Sequence, residues 1–327
     1  MANTVDNSFI EFNREIVNLN SNITETANNS RDWLVTQLSS LDMKDGLDFP
    51  YEYIGMHVKY GSFARKTKIR ELDDIDLLFC LKADGAYYTK IGDTYVISSV
   101  NSGQRLQNLS DNGTLNSRKI VNKFVNSLYE LRHYKSAEIH RKGEAATLKL
   151  DSYVWVYDIV PAFYTDTALY LIPDGNGNWK ATDPRIDQKL LTETNQSYES
   201  KVLQLIRTLK YWNRHNSTYT LGSYLFEQIV INFVKSKYEL STYMDFNIRD
   251  FFNYLSINIY NSVYDPKGIQ GDINNLILSE KDSVSLKADW AYNKAKDAVF
   301  AETNEKNQEK SINKWREIFG NNFPQYG

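Results

Sequence analysis

The chain has 327 residues, of which 42% are hydrophobic, 13% aromatic and 24% charged, and its formal net charge is −3. This composition excludes an intrinsically disordered chain, and the single cysteine, Cys80, excludes a disulfide framework or a cysteine-rich zinc site. No apolar run approaches the ~20 residues of a membrane helix, and the N-terminal stretch lacks a signal-peptide core. We therefore expect a cytoplasmic protein of mixed α+β class with no membrane association.

The spacing of apolar residues predicts the secondary structure along the chain. Residues 8–41 have helical spacing, with a break expected near 28–30. Strand-like patterns follow, with one helix over 117–133 among them, and helical spacing returns after a glycine-containing turn at 174–177. The predicted strands span 53–60, 74–81, 94–98, 146–150 and 153–160. The predicted later helices span 199–215, 224–237, 248–263, 287–300 and 306–319.

This change of period predicts two domains. Residues 1–180, including the helix over 8–41, form a mixed α/β lobe, and residues 181–327 form a helical lobe. A cleft between two such lobes is the usual place for a ligand.

One segment of the α/β lobe carries a chemical signal. Gly61 and Ser62 end a predicted strand, a basic stretch follows, and the next strand opens with Asp74 and Asp76. Glycine lets the backbone approach a phosphate, and serine adds a hydroxyl where amide groups already favour an anion. Because residues two apart on a strand share a face, the two aspartates can hold hard cations together. Asp73 faces the other way on a regular strand, and we predict that it is dispensable.

A third carboxylate is expected, because phosphoryl transfer by two metals places the ions about 3.5–4 Å apart and needs ligands for both. Asp158 stands among apolar and aromatic neighbours, where a charge is costly unless it is paired or bound to metal. Each feature alone has an ordinary reading, as a turn, a strand cap or a satisfied core carboxylate. Their combination favours a site for divalent cations and phosphates.

The pattern Gly61-Ser62, Asp74-x-Asp76 and Asp158 resembles the hallmark of the polymerase-β-like nucleotidyltransferases. Other segments are similar to the bacterial enzymes related to cyclic GMP-AMP synthase and oligoadenylate synthase, the CD-NTase family. They are Gly61-Ser62-Phe63-x-Arg65-x-Thr67-x-Ile69, Asp158-Ile159-Val160-Pro161-Ala162, Asp183-Pro184, Ile206-Arg207-x-Leu209-Lys210-x-Trp212-Asn213, Ser223-Tyr224 and Trp315-Arg316-x-Ile318-Phe319-Gly320. The resemblance implies a mixed-sheet core and a C-terminal helical lobe like that of oligoadenylate synthase, with the active site in the cleft between them.

The resemblance also implies a reaction. Nucleoside triphosphates would be joined into a cyclic di- or trinucleotide second messenger by attack of a ribose hydroxyl on an α-phosphate. Two Mg²⁺ ions, with Mn²⁺ as a substitute, would be held by Asp74, Asp76 and Asp158. The setting would be bacterial antiphage signalling of the CBASS type, in which an effector is reached through the product only.

The family pattern further assigns nucleotide-binding roles. Gly61, Ser62, Lys210 and Ser223 would hold the phosphates, and Tyr224 would stack on the donor base. Lys201 and Lys210 flank the apolar stripe of one predicted helix on opposite sides, so only one of them is expected to face the cleft. Lys210 is chosen for its Leu-Lys-x-Trp context. A solvated lysine and a tyrosine packed in the core are the plain structural alternatives.

Two basic clusters stand out against the acidic total. The first, from Lys59 to Arg70, borders the predicted active site, so substrate or product phosphate is its expected partner. The second, from Arg118 to Lys149, is either a solvated face or a surface for a structured RNA activator. For the protein as a whole, an RNA or a protein activator is a candidate partner. The terminal Gly327 is a candidate site of conjugation to another protein.

Two rival functions remain open at this stage. A terminal nucleotidyltransferase would use the same carboxylates to add nucleotides to RNA or protein. A catalytically silent nucleotide-binding module would serve as a scaffold for a partner. For a cyclic product, the alternatives are a 2′–5′ or a 3′–5′ linkage and a ring of two or three nucleotides.

Overall fold

The structure, a computed structural model, describes residues 2–327. These residues form two compact units, each with its own hydrophobic core. The sheet unit comprises residues 20–66 and 71–188. The helical unit comprises residues 2–19, 67–70 and 189–327.

The α-helices of residues 2–327 follow one another along the chain in both units, and the long ones lie mostly after residue 183. A π-helical turn at Asn13–Val17 follows α1, and short 3-10 turns span Leu41–Met43 and Arg132–Tyr134. The helices are α1 (Val5–Phe12), α2 (Ser21–Ser39), α3 (Gly61–Ala64), α4 (Gln104–Gln107), α5 (Ser117–Tyr129), α6 (Pro184–Ser197), α7 (Val202–His215), α8 (Ser223–Lys235), α9 (Met244–Asn258), α10 (Leu278–Thr303) and α11 (Gln308–Phe319).

The strands all belong to one mixed sheet in the sheet unit. Its main path runs β1-β2-β9-β10-β11-β4-β6-β5, while β3 pairs with β4, and β8 joins β7 to β9. The strands are β1 (Val58–Tyr60), β2 (Asp74–Leu81), β3 (Tyr87–Ile91), β4 (Thr94–Ser98), β5 (Ser110–Asp111), β6 (Thr114–Leu115), β7 (Glu138–Lys142), β8 (Ala145–Lys149), β9 (Val156–Tyr164), β10 (Tyr170–Pro173) and β11 (Trp179–Thr182). The β2–β9 pair is parallel, and the other pairs are antiparallel.

The helical unit is held together by aromatic and small side chains. Phe9 of α1 packs edge-on against Trp315 and Phe323, with ring centroids 5.1 and 4.9 Å apart. Along α10 a stripe of alanines is fully buried, which allows close approach of neighbouring helices. These residues are Ala288, Ala291, Ala295 and Ala298. The apolar stripe predicted for the helix over 199–215 also lies in the core of this unit.

The predicted break near 28–30 in the N-terminal helix is wrong. Residues 28–30 lie inside α2, and the chain instead leaves the helix at Asn18 and re-enters it after Asn20. The Asn20 side chain accepts a hydrogen bond from the amide of Asn22, so this asparagine acts as an N-cap. Asparagine is tolerated inside a long helix but strongly favoured at such a cap, which explains the position of the break.

The domain boundary also lies elsewhere than the sequence predicts. Residues 5–17 group with the helical unit, because Phe9 and Phe12 bury their rings in its aromatic cluster. At the other end the chain passes from one unit to the other within α6, after residue 188, and not at residue 180. The segment 67–70 belongs to the helical unit too, with Ile69 in its core.

Several elements have the predicted bounds. The strands over 74–81 and 94–98 are confirmed, whereas the strand predicted at 153–160 is β9 and begins at Val156 after a turn. Helix α6 and strands β3, β7, β10 and β11 were not predicted. Each of these strands has only four or five residues, which are too few to show a clear periodicity. None of the helices in residues 2–327 combines the length and apolar character needed to cross a bilayer.

Candidate active site

Two neighbouring parallel strands carry the three aspartates that the sequence singles out. Asp76 on β2 is the register partner of Asp158 on β9, and Asp74 lies two residues before Asp76. Side chains at paired positions, and side chains two apart on a strand, point to the same face of a sheet. The structure therefore brings all three carboxylates to one face.

The opposite face of this strand pair is buried, and this burial fixes the register. Residues Ile75 and Leu77 alternate with the aspartates on β2, as Tyr157 and Ile159 do around Asp158 on β9, and all four are buried. A slip of one residue would bury the carboxylates and expose the apolar side chains. The hydrophobic pattern of the two strands thus places the acidic face.

Asp76 and Asp158 belong to a row of register partners that continues past Thr147 to His140 on β7. Tyr60 on β1 is the register partner of Asp76, and Thr147 on β8 is the register partner of Asp158. The Thr147 hydroxyl donates a hydrogen bond of 2.8 Å to Oδ1 of Asp158. The face thus presents two carboxylates flanked by two side chains that carry hydroxyl groups.

The pKa of the Tyr60 phenol reflects the negative charge of this face. Burial raises its pKa well above the usual value, and the charges of Asp76, Glu144, Asp158 and Asp74 raise that pKa further. Tyr60 is therefore a neutral hydroxyl at physiological pH. Because four carboxylates act on one side chain, the face is strongly electronegative and favours cations.

The Gly-Ser turn contacts the carboxylate face directly. Gly61 begins the single helical turn α3 with φ +75°, and a Cβ atom at this position would lie 1.7 Å from Oδ2 of Asp76. No other residue type fits there without moving that carboxylate. Ser62 follows in the same turn and is half-buried. The glycine that the sequence assigns to phosphate approach is therefore also required by its contact with Asp76.

A cavity of about 330 Å³ opens beside the carboxylates. The turn between β7 and β8 forms one wall of this cavity, and Glu144 in that turn pairs with Lys180 of β11. The lining residues are Tyr60, Asp76, Lys142, Gly143, Glu144, Ala145, Asp158 and Val160. The cavity is therefore lined on one side by Asp76 and Asp158, and on the other by the charged side chains Lys142 and Glu144.

The donor set on this face fits a hard divalent cation. Carboxylate oxygens are the ligands that Mg²⁺ prefers, and like charges at paired strand positions repel unless a cation screens them. Within residues 2–327 no three His, Cys, Asp or Glu side chains converge into a ready-made metal cage. Mg²⁺ sites usually combine one or two carboxylates with substrate phosphates, so such a cage is not required.

Lys210 lies inside the helical unit. Its ammonium forms an ion pair of 2.8 Å with Glu227 of α8, and the side chains are 7% and 1% exposed. The hydroxyl of Thr67 donates to the same Oε1 atom of Glu227, also at 2.8 Å. Lys210 is thus not the solvated lysine of the plain alternative. Lys201 pairs with Glu199 and donates to the carbonyl of Leu240.

Tyr224 is held by polar contacts at its hydroxyl and by a cation at its ring. The hydroxyl donates 2.9 Å to Asp265, and the Lys267 ammonium lies 4.3 Å from the ring centroid. Asp265 and Lys267 form a buried ion pair of 2.7 Å. Ser223, at the start of α8, is exposed. The tyrosine is therefore half-buried in a defined polar setting, and its ring is partly covered by Lys267.

Several side chains of the two basic clusters form hydrogen bonds or ion pairs within the protein. The Arg70 guanidinium donates to backbone carbonyls of residues 14, 15 and 18, and Lys59 pairs with Asp32. In the second cluster, Arg118 donates to the carbonyl of Gly175, and Lys119 pairs with Asp111. These contacts leave each cluster with less free positive charge than the sequence alone indicates.

Several residues of these sites were missed by sequence reasoning. Glu227 carried a usable signal, since a charge within the apolar run of α8 is the same anomaly that singles out Asp158. Thr147 and Tyr60 carried none, because their importance comes from the register of neighbouring strands. Asp265 and Lys267 stand in a loop, where no periodicity marks them.

Comparisons with known proteins agree on one family. A probable cyclic nucleotide synthase of Bacillus cereus is 43% identical over 333 residues, covering 100% of this chain and 99% of that protein. A cyclic AMP-AMP-AMP synthase of an Acinetobacter strain is 28% identical over 176 residues, which are 51% of this chain and 50% of that protein. No family model matches the sequence.

Solved structures share the fold. Escherichia coli CdnC in complex with HORMA-deltaN has a TM-score of 0.72, and CdnC with ATP has a TM-score of 0.71. Both are 16% identical to this chain, and each match covers 98% of both chains. This chain therefore has the same α+β fold as these structures, with a mixed sheet and a C-terminal helical unit.

The particular family follows from the relative that matches the full chain. The chain belongs to the CD-NTase family, the bacterial nucleotidyltransferases that include cyclic nucleotide synthases. This confirms the family that the motifs predict, together with the enzyme class.

Proposed function

We propose that the protein joins nucleoside triphosphates into a cyclic di- or trinucleotide through the carboxylate face of its sheet unit. The observation that carries the proposal is the register that sets Asp76 beside Asp158, with Asp74 on the same face. Both curated relatives are named as cyclic nucleotide synthases, which favours a cyclic product over nucleotide addition to RNA or protein.

The metal ions of this chemistry are assigned to Asp74, Asp76 and Asp158. Two Mg²⁺ ions, when bound, supply positive charge at the attacking and leaving oxygens of an in-line displacement at the α-phosphate. Asp158 is in addition the proposed acceptor of the proton from the attacking ribose hydroxyl, since its carboxylate borders the cavity and one of its oxygens is already held by Thr147.

The remaining predicted residues bind the nucleotide. Ser62 and Ser223 offer hydroxyl donors to phosphate oxygens, and Gly61 keeps the backbone close. Lys210 offers N–H donors on an ammonium group that its partner Glu227 holds in a fixed position. Tyr224 offers a ring whose stacking on a base contributes about 1–3 kcal/mol and discriminates bases poorly. Repetition of the same step on the linear product closes the ring.

The biological setting that we propose is antiphage signalling of the CBASS type, in which the product reaches an effector. A protein partner is favoured over an RNA activator. One reason is that the structural neighbour CdnC was solved in complex with HORMA-deltaN. The other is that Arg118 and Lys119 of the second basic cluster already contact groups of the protein itself.

The test is to incubate the purified protein with all four labelled triphosphates and Mg²⁺ or Mn²⁺. Products are digested with phosphatase and identified by mass spectrometry. We expect a phosphatase-resistant cyclic oligonucleotide made from triphosphates alone. Labelled product that forms only when RNA or protein is added as acceptor would instead identify a terminal nucleotidyltransferase.

A further inference from the structure

The hydrogen bond from Thr147 to Asp158 singles out one oxygen of that carboxylate. Thr147 is 4% exposed, and its hydroxyl lies 2.8 Å from Oδ1 of Asp158. Among residues 2–327 this is the hydrogen bond that Asp158 accepts, and Oδ2 accepts none. The two oxygens of one side chain therefore have different surroundings.

The strand pairing leaves Thr147 little freedom. Thr147 and Asp158 are direct register partners on antiparallel strands, and on its other side Thr147 is paired with His140 of β7. On both sides of Thr147 the residues Ala146 and Leu148 are fully buried, so β8 cannot shift without opening the sheet core. A β-branched side chain also has few rotamers. The hydroxyl is thus a rigid donor aimed at a carboxylate.

We propose that Thr147 is a positioning residue for the metal site: it fixes the Asp158 carboxylate through Oδ1 so that Oδ2 is presented to the ion and to the attacking hydroxyl. This inference rests on the proposed metal-binding role of Asp158. Partners that orient a metal ligand in this way typically change metal affinity or activity by about 10- to 100-fold when they are removed.

A purely structural role for Thr147 makes a different prediction. If the side chain served only to fill space on the sheet, valine would replace it without loss, because valine has nearly the same shape. If the hydroxyl positions Asp158, valine fails and serine succeeds. The pair of substitutions Thr147→Val and Thr147→Ser therefore separates shape from hydrogen bonding.

The experiment measures Mn²⁺ binding directly, by electron paramagnetic resonance on the full chain with a non-hydrolysable triphosphate analogue. We expect T147V to bind Mn²⁺ about 10-fold more weakly than the wild type, and T147S to bind it as the wild type does. The matched control is Thr208→Val, which removes a buried hydroxyl bonded to Asn13 in the helical unit. T208V is expected to lower thermal stability while leaving Mn²⁺ affinity unchanged.

Two results would overturn the inference. One is wild-type Mn²⁺ affinity in T147V, and the other is an equal loss in T147V and T147S. Should T147V not fold, Thr147→Ala and Thr147→Ser form a second pair that differs by the hydroxyl alone, and equal affinities in that pair have the same meaning. Asp158→Ala separates the two proposals: if it binds Mn²⁺ normally, the metal role of Asp158 fails, whereas if only T147V binds normally, the positioning role alone fails.

Discussion

Two of the residues that we propose for the chemistry have neighbours that leave them little freedom. Gly61 is one of them, since both its φ of +75° and the nearby Asp76 carboxylate forbid a side chain. Asp158 is another, with one oxygen held by Thr147. Each of these contacts can be changed by a single substitution, so the role of each residue can be tested separately.

Gly61→Ala is expected to abolish product formation while leaving the protein folded. The new methyl group meets Oδ2 of Asp76, so the carboxylate must turn away, and the left-handed backbone adds strain of about 1–3 kcal/mol. Gly55→Ala is the matched control, since Gly55 has φ +80° with no atom within 4 Å of the added Cβ. Activity and melting temperature are measured for both, and equal loss of activity in G55A would contradict the explanation.

The buried Lys210–Glu227 pair needs a double substitution. Lys210→Met alone leaves a carboxylate buried without its cation, which typically costs about 3–5 kcal/mol and obscures any effect on nucleotide binding. Lys210→Met with Glu227→Gln removes both charges and keeps an acceptor for Thr67. We expect a melting temperature near that of the wild type and a KM for triphosphate raised about 10-fold or more.

The comparison that decides the role of Lys210 is the KM of the double variant against that of the wild type, because neither protein contains a buried unpaired charge at this position. If the two values agree, the lysine has only a structural role in the helical core.

At the scale of secondary-structure elements, the apolar period predicts the central parts of the fold. Strand β2 has the predicted bounds because its first residues alternate between polar and apolar and its later residues are continuously apolar. Helices α5, α7 and α11 were predicted because each has an apolar stripe along one face. The break after α1 was misplaced because asparagines are frequent in this region, and only the cap at Asn20 distinguishes one of them. Pairing partners such as Thr147 cannot be predicted from one strand, since strand register is a property of two.

The N-terminal turn of α9 contains a buried carboxyl group, that of Asp245, which lowers the stability of the folded protein at high pH. Asp245 is 3% exposed, and burial together with the nearby Glu302 raises its pKa from 3.8 to about 7. A hydrogen bond between the Asp245 and Glu302 side chains also raises this pKa, because it favours the protonated carboxyl group. Because the unfolded chain loses this proton near pH 4 and the folded chain near pH 7, the free energy of unfolding falls as pH rises between these values.

Asp245→Asn is expected to remove this pH dependence. The amide stays neutral, so at pH 8 the variant should be more stable than the wild type by on the order of 2–4 kcal/mol, and at pH 4 the two should be similar. Denaturant unfolding at pH 4, 6 and 8 provides the measurement. A wild-type protein that grows more stable from pH 4 to 7 relative to D245N would contradict the assigned protonation state.

For the whole molecule, the motifs identify the family and the sheet places the carboxylates. The three aspartates were predicted from spacing and from one charge in an apolar strand, and the structure brings them to one face of β2 and β9. What the sequence could not supply is the surroundings of each side chain, such as the burial of Lys210 with Glu227 or the ring of Tyr224 under Lys267. These depend on how distant segments pack within a unit.

The most direct test of the central claim is pyrophosphate release and product formation by three variants in the same assay: Asp76→Asn, Asp158→Asn and Asp73→Asn. Asp73 immediately precedes β2, is exposed and lies outside the carboxylate row, so it serves as the matched acidic control. The account predicts that D76N and D158N fold, as measured by circular dichroism, and release no pyrophosphate, while D73N retains activity. Cyclic product from folded D76N or D158N at the wild-type rate would contradict it.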